Sequence, residues 1–327
     1  MAKIDKVAQE LDLLSAIKKS EWTADALSQI RKSLASPNHL IVQSAADAAQ
    51  KFEVRELIPD LKAAYDRYFG EKAGIDKGCV AKQTCIAALN FFEAADETRL
   101  LRGVRHVQME PVFGKSVDVA GLLRGECLVG LVRLDYGEAY EEAVNLLVDR
   151  QWEARATAVR ALGELGRREG ALVLRHKALI GDDEIAVMDE CWAGLMMADP
   201  AGSAEFLRRR MVVAAPNDAL GIAMALGRSV RPEVLPWLTE LRRTREEMEL
   251  QRGVLLPIAL LRSDAAMEYL LNVVAEERVP YATEAIKALH VCATSEERRE
   301  AVRAAVERRG ERTLSIAFRK QFERDEA

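Results

Sequence analysis

The segment Asp149–Gly166, DRQWEARATAVRALGELG, contains the features that decide the fold of this 327-residue chain. It opens with an acidic residue and closes an apolar helical pattern with a small residue followed by leucine. This pair type recurs along most of the sequence, as Ala88-Leu89, Gly130-Leu131, Ala161-Leu162, Gly194-Leu195, Ala225-Leu226, Ala259-Leu260 and Ala288-Leu289. Subtracting successive leucine numbers gives intervals of 42, 31, 33, 31, 34 and 29 residues. A recurrence at about thirty residues is typical of stacked helical repeats rather than of one globular core.

The position four residues before each leucine also repeats. It holds a residue of buried type in every unit: Cys85, Cys127, Ala158, Cys191, Ile222, Leu256 and Ala285. Residues at i and i+4 lie on the same face of a helix, so the pattern predicts a buried seam between helix layers. We expect Leu162 to lie within this seam.

A polar marker accompanies the apolar one. An acid stands nine residues before the buried position in six of the seven units, at Asp76, Asp118, Asp149, Asp182, Glu247 and Glu276. The unit at 200–227 has Val213 there instead. Three units add a base six residues after the acid, namely Lys82, Arg124 and Arg155. In these positions the chain resembles the HEAT-repeat family, and most of all its short bacterial form, which also occurs in phycobilin-lyase-type repeats.

The resemblance covers about residues 24–310 and implies an all-α fold, a right-handed α-solenoid of about nine HEAT-like helix pairs. It also implies that these acids and bases form a structural ladder between neighbouring units: Asp76 with Lys82, Asp118 with Arg124, and Asp149 with Arg155. Partly exposed ion pairs contribute only about 0 to 1 kcal/mol each, so we expect the ladder to orient layers more than it stabilises them.

The predicted organisation has three parts. Residues 1–22 form an N-terminal capping helix, residues 23–310 the repeat solenoid, and residues 311–327 a C-terminal capping helix. Pro257 falls inside a helical pattern and should bend that helix, because proline cannot donate a hydrogen bond to the carbonyl of residue 253.

Composition and charge limit the possible functions. A net charge of −5 argues against general attraction to nucleic acid or anionic membrane. The five cysteines include no CxxC, so they predict neither a disulfide framework nor a zinc site. The first residues, MAKIDKVAQELDLL, lack the apolar segment of a signal peptide. We therefore expect a cytoplasmic protein without a metal or another cofactor.

Enzymatic and nucleic-acid functions remain as alternatives, because related scaffolds carry them. HEAT-like di-iron hydroxylases use His-Glu dipeptides, whereas the histidines here precede Leu, Val, Lys and Val: His39, His106, His176 and His290. HEAT-like DNA glycosylases place aromatic residues on a basic surface, which Trp152 and Trp192 could imitate. The basic clusters Arg208–Arg210 and Arg242, Arg243 and Arg245 fall on first helices, which face outward in this family. A bilin-lyase activity is a further alternative, although the repeat itself carries no catalytic residue.

The interval of 42 residues indicates an inserted loop at 108–117, ahead of the second helix of its unit. Five residues in or beside it have no evident role in the repeat: Arg105, His106, Glu110, Phe113 and Lys115. Loops of this kind carry recognition when they are used. The predicted function is a non-catalytic scaffold or adaptor that binds a protein or peptide. Its binding site is predicted on the concave face or at the edge formed by residues 70–76 and 105–117.

Overall fold

A computed structural model describes residues 2–70 and 76–323, with side chains from Lys6 onward. After α1 (Ala2–Lys19), the helices of these residues form nine successive pairs, each of a first and a second helix. They are α2 (Ala24–Leu34) with α3 (His39–Lys51), α4 (Ile58–Arg67) with α5 (Val80–Phe91), α6 (Glu97–Val104) with α7 (Gly121–Arg133), α8 (Ala139–Leu146) with α9 (Trp152–Glu164), α10 (Arg168–Ile180) with α11 (Ile185–Ala198), α12 (Pro200–Val213) with α13 (Pro216–Arg228), α14 (Val234–Thr244) with α15 (Met248–Gly253) and α16 (Leu255–Leu260), α17 (Asp264–Glu276) with α18 (Val279–Cys292), and α19 (Glu296–Arg309) with α20 (Arg312–Phe322). The all-α prediction is confirmed.

The chain forms two compact units, residues 1–161 and 162–327. Each unit builds its core where its second helices pack on their first helices and on the neighbouring second helices. The core consists mainly of Ala, Leu, Val and Ile side chains. None of the described helices is long and apolar enough to cross a membrane.

The predicted seam is buried in six of its seven units. Leu162, for example, has no exposed surface. The unit around Pro257 departs from the prediction by one residue, because Leu256 is 38% exposed while Leu255 and Ala259 are fully buried. The predicted register is therefore wrong there.

Proline explains this shift in register. The helix is interrupted at Val254, between the end of α15 and the start of α16. Pro257 lies in α16 and cannot donate to the carbonyl of Gly253, so the regular hydrogen-bond ladder is broken at this point. The helix is thus interrupted near the predicted position, and Leu255, the residue before Leu256, lies in the seam.

The insertion was predicted as a loop at 108–117, and this is corrected by the structure, which shows a two-stranded antiparallel hairpin. Strand β1 (Met109–Val112) pairs with β2 (Lys115–Asp118), with Val112 opposite Lys115 and Pro111 opposite Ser116. The amide of Val119 donates to the carbonyl of Gln108 at 2.9 Å. Because hydrogen-bonded and non-hydrogen-bonded pairs alternate, Pro111 falls at a non-hydrogen-bonded pair, where a strand tolerates proline.

Candidate functional site

The tip of the hairpin presents an aromatic side chain to solvent. Phe113 is fully exposed, and Met109 and Val112 of β1 are also exposed. Phe113 and Gly114, the two residues of the turn, have φ values of 46° and 80°. Such a two-residue turn needs positive φ at both positions, which suits glycine but is unusual for a bulky residue. The fold thus places its most exposed aromatic residue where a smaller residue would fit better.

The base of the hairpin is fastened to the preceding repeat by Gln108. Its Nε2 donates to the backbone carbonyl of Asp76 and to Oε1 of Glu110, both at 2.6 Å. Its Oε1 accepts from Nζ of Lys82 at 2.7 Å. The same Glu110 carboxylate accepts from the amide of Gly78 at 2.8 Å. Side chains at the hairpin base therefore hold it against the start of α5.

The acid and base of the preceding repeat lie beneath this contact. Asp76 and Lys82 are fully buried, with 3.4 Å between Nζ and Oδ2. The Asp76 carboxylate also accepts from the amides of Ala81 and Lys82, at 2.9 and 3.0 Å. The Lys82 ammonium lies 5.5 Å from the centre of the Phe69 ring. These contacts occupy Lys82 internally, so it supports the hairpin rather than meeting a ligand.

Arg124 connects the hairpin to the following repeat. It lies between Asp118, at 2.8 Å, and Asp149, which it binds through two hydrogen bonds of 2.7 Å. Its Nη1 also donates to the carbonyl of His106 at 2.7 Å. Burial opposes the charge, but the bonds to Asp149 and Asp118 raise the pKa of Arg124 above its usual value. Arg155 donates to the backbone carbonyl of Asp149 at 2.8 Å.

This arrangement changes the expected energetics. The side chains of Arg124, Asp118 and Asp149 are 5, 8 and 10% exposed, so these ion pairs are buried and not partly exposed as expected. Breaking a buried pair leaves an uncompensated charge and costs about 3 to 5 kcal/mol.

Three of the five residues assigned to partner binding have contacts within the chain. Arg105 binds the buried Glu142, and its Nε donates to Oε1 at 3.0 Å. The half-buried His106 ring packs on Phe69 at 4.9 Å, and burial followed by the charge of Lys82 lowers the pKa of His106. Glu110 fastens the hairpin base. The statement that these residues lack a role in the repeat is therefore wrong.

The other two residues, Phe113 and Lys115, stand at the exposed tip. On the other side of the predicted edge, residues 71–75 lie outside the described part of the chain. Sequence analysis missed Gln108, whose side chain has hydrogen-bonding partners in two different repeats. The only signal available was its position, as the first residue of an insertion that interrupts the repeat.

The features that suggested nucleic-acid binding are partly internal, although Arg208, Arg209 and Arg243 are exposed beside acids on their own helices. Trp192 is fully buried and cannot stack on a base, whereas Trp152 at the start of α9 is 40% exposed. Arg242 is buried and binds Glu277 at 2.5 Å, and Arg245 binds Glu247 at 2.7 Å. Their charges are thus neutralised by neighbouring acids.

The cysteines are unsuited to nucleophilic chemistry. All five are free and buried: Cys79, Cys85, Cys127, Cys191 and Cys292. Burial raises the pKa of Cys127 and of Cys191 to about 12, so both remain thiols at neutral pH. In the described part of the chain, no three His, Cys, Asp or Glu side chains are grouped as metal ligands would be.

Comparisons with known proteins give a likeness to solved structures alone. No protein-family profile matches the sequence, and no curated protein is significantly similar to it. The chain is similar to human deoxyhypusine hydroxylase in complex with glycerol, with 15% identity, 97% of each chain covered and a TM-score of 0.31. It is also similar to the complex of CpcE and CpcF of phycocyanin lyase from Nostoc sp. PCC7120, with 15% identity, 89% of this chain and 96% of that chain covered, and a TM-score of 0.37. The chain is similar as well to an engineered protein of known structure, with 15% identity, 86% of this chain and 82% of that chain covered, and a TM-score of 0.37.

Proposed function

We propose that this chain is a non-catalytic interaction scaffold of the HEAT-repeat type, and that it binds a protein partner through the tip of the hairpin. The observation that carries this proposal is Phe113, a fully exposed aromatic residue with a φ of 46°. A left-handed conformation at a bulky residue costs roughly 1 to 2 kcal/mol, and the fully exposed ring of Phe113 gains no burial that offsets this cost. A function in binding accounts for it.

The hairpin is held in place by its own base, which suits a recognition element. Its base is fixed by the hydrogen bonds of Gln108 and Glu110, so the tip is held in place before a partner arrives. Preorganisation of this kind lowers the entropic cost of binding. Burying a phenylalanine side chain yields about 1.5 to 3 kcal/mol, and one aromatic anchor often dominates a small interface. Lys115 stands beside it and supplies a polar rim.

Site-specific photo-crosslinking tests this function. A benzophenone amino acid is placed at position 113 of the full chain and, as a matched control, at Val148, which is 84% exposed in the same unit. After irradiation in cells that express the chain, mass spectrometry identifies the adducts. We expect a discrete protein adduct from position 113 that is not formed from position 148.

The partner so identified is then purified and its affinity measured. Phe113→Asn removes the aromatic anchor and suits the left-handed turn, because asparagine tolerates positive φ. We expect the Kd to rise at least about thirtyfold, as for a typical hot spot of about 2 kcal/mol. The same adducts from both positions, or an unchanged Kd, would rule out the tip as the binding site.

A further inference from the structure

A second surface, in residues 162–327, is a groove along consecutive second helices. One cavity of about 370 Å³ lies between α11 and α13, and one of about 270 Å³ lies between α13, α15–α16 and α18. A third cavity of about 490 Å³ lies at the carboxyl ends of α11 and α13. The first two share Leu220 and Met224, and the first and third share Ala193, Ala225 and Arg228. They therefore form one continuous depression, here named the second-helix groove.

Glycine residues leave space for its walls. A Cβ at Gly221 would lie 2.4 Å from Oδ1 of Asp189 and 3.0 Å from Cδ1 of Trp192. A Cβ at Gly253 would lie 3.0 Å from both terminal carbons of Leu220. Because side chains of the neighbouring helices occupy these positions, larger residues cannot replace the glycines without displacing the lining.

The floor of the groove is apolar and adaptable. Met197 and Leu256 are 51 and 38% exposed, and Leu220 and Met224 are half-buried. Leu220, Met224 and Arg228 are spaced by four residues, so they form a row along α13. Methionine side chains adjust to different apolar partners, and a groove of this kind accepts the apolar face of an amphipathic helix.

The charges around the floor indicate the kind of partner. The cavities are lined by four bases, Arg228, Arg231, Arg252 and Lys287, and by two acids, Asp189 and Glu284. Arg252 and Lys287 both bind Glu284. Nη2 of Arg252 and Nζ of Lys287 each lie 3.1 Å from Oε2 of Glu284. Arg231 in turn binds Glu233, which does not line the cavities. The lining itself holds two more bases than acids, although the whole chain has a net charge of −5. This reversal of sign favours an acidic partner.

Asp189 lies in the wall of the first cavity against Gly221, where acidic side chains should be repelled. Burial, and then the charges of Asp218 and Glu190, raise the pKa of its carboxyl group. Arg228 lies at the carboxyl end of α13, seven residues beyond Gly221. The charge distribution therefore also sets the direction in which acidic groups would lie.

We propose that the second-helix groove binds an acidic amphipathic helical segment of a partner protein. The apolar face of that helix packs on Leu220, Met224 and Leu256. Its carboxylates lie along the wall formed by Arg228 and Lys287, away from Asp189. This inference goes beyond the hairpin function and does not depend on it.

Selection from random peptides tests the proposal with the full chain. A displayed library of peptides of about 18 residues, enough for about five helical turns, is selected against the wild-type protein. Enriched peptides are expected to carry apolar residues at helical spacing with acidic residues at their flanks. Their affinities are then measured by fluorescence anisotropy for the wild type and three variants.

Met224→Gln keeps a similar shape but makes the floor polar, and Arg228→Glu reverses a wall charge. Arg243→Glu makes the same charge change at an exposed site on α14, outside the groove, and is the matched control. We expect the first two variants to weaken binding at least about tenfold and the control to leave it within about twofold. Circular dichroism melting verifies that all three are folded.

Phe113→Asn separates this proposal from the hairpin function and should leave peptide binding unchanged. The proposal is overturned if no peptide is enriched, if the enriched peptides lack acidic bias, or if Arg228→Glu and Arg243→Glu have equal effects. Loss of binding in Phe113→Asn would also overturn it, since the peptides would then bind the hairpin.

Discussion

The two compact units differ in how deeply the cations of their second helices are buried. In residues 1–161, Lys82 and Arg124 lie near the starts of second helices and are buried among acids, while Arg67 and Arg105 connect repeats from the ends of first helices. In residues 162–327, Arg252 on a second helix is partly exposed where it binds Glu284, and further connecting cations lie at the ends of first helices. There Arg242 binds Glu277, and Arg245 and Arg309 donate to the carbonyls of Ala214 and Val274.

This difference bears on function. Where second helices use their cations to hold the next repeat, those groups are not accessible to a partner. In residues 162–327, the second-helix cations Arg228 and Lys287 remain exposed at the surface. One repeat architecture thus provides a rigid support for the hairpin in one unit and an open basic groove in the other.

The largest expected effect comes from removing one connecting arginine in each unit. Arg124→Met leaves Asp118 and Asp149 buried without a cation, and we expect the free energy of unfolding to fall by about 3 to 5 kcal/mol. Arg242→Met leaves Glu277, whose side chain is 34% exposed and can be hydrated. We expect a smaller loss there, of about 1.5 to 3 kcal/mol.

Urea denaturation monitored by circular dichroism measures both changes. Because the chain has two compact units, hydrogen exchange should accompany it, to show in which unit the loss occurs. Equal losses in the two variants would remove the proposed distinction between buried and hydrated acids.

The next effect tests the helix register around Pro257. Leu255→Ala should lower the free energy of unfolding by about 2 to 5 kcal/mol, because it creates a cavity in the seam. Leu256→Ala makes the same chemical change at a side chain that is 38% exposed, and should cost less than about 1 kcal/mol. Thermal melting of the pair decides the register. A larger loss at Leu256 would restore the register expected from the sequence.

These two tests also show what sequence could reveal. The helix pairs follow from spacings that recur along the chain, and the contacts of Arg124 with Asp118 and Asp149 agree with the ladder that the resemblance implied. A recurring pattern describes the average unit and not a local exception. It therefore predicted that Leu256 lies in the seam, where the structure has Leu255. The helix around Pro257 is interrupted in a way that the repeat pattern does not contain. The pattern therefore could not indicate that Leu255, and not Leu256, faces the seam.

The candidate site was less predictable for a related reason. Among the residues that the structure describes, the hairpin occurs once, and its strands are four residues each. Pro111 makes the first strand hard to recognise, because proline is uncommon inside strands. The contacts of Arg105 with Glu142 and of Gln108 with Asp76 join residues 37 and 32 positions apart. Such pairs become visible only when the repeats are stacked in three dimensions. Phe113 could be identified in advance, since an isolated aromatic residue before glycine in an insertion is itself a local signal.

A smaller effect is expected at the hairpin base. Gln108→Ala removes one hydrogen-bonding partner from Nζ of Lys82 and one from the carbonyl of Asp76, and should cost about 1 to 3 kcal/mol. Hydrogen exchange of the β1 and β2 amides should accelerate more than that of α7. Ser116→Ala, at an exposed position of β2, is the control and should leave both rates unchanged. Unchanged exchange in Gln108→Ala would mean that the hairpin is rigid without its support.

The smallest effect concerns the tip, and its sign is opposite to the others. Phe113→Asn should raise the free energy of unfolding by about 0.5 to 1 kcal/mol, because asparagine adopts positive φ at lower cost than phenylalanine. Phe113→Ala also removes the ring but retains an unfavourable conformation, so it should give no such gain. Both variants should lose the partner captured through position 113. Differential scanning calorimetry of the two variants measures the gain. If Phe113→Asn melts below the wild type, the ring contributes to folding, and the exposed aromatic residue no longer needs a partner to account for it.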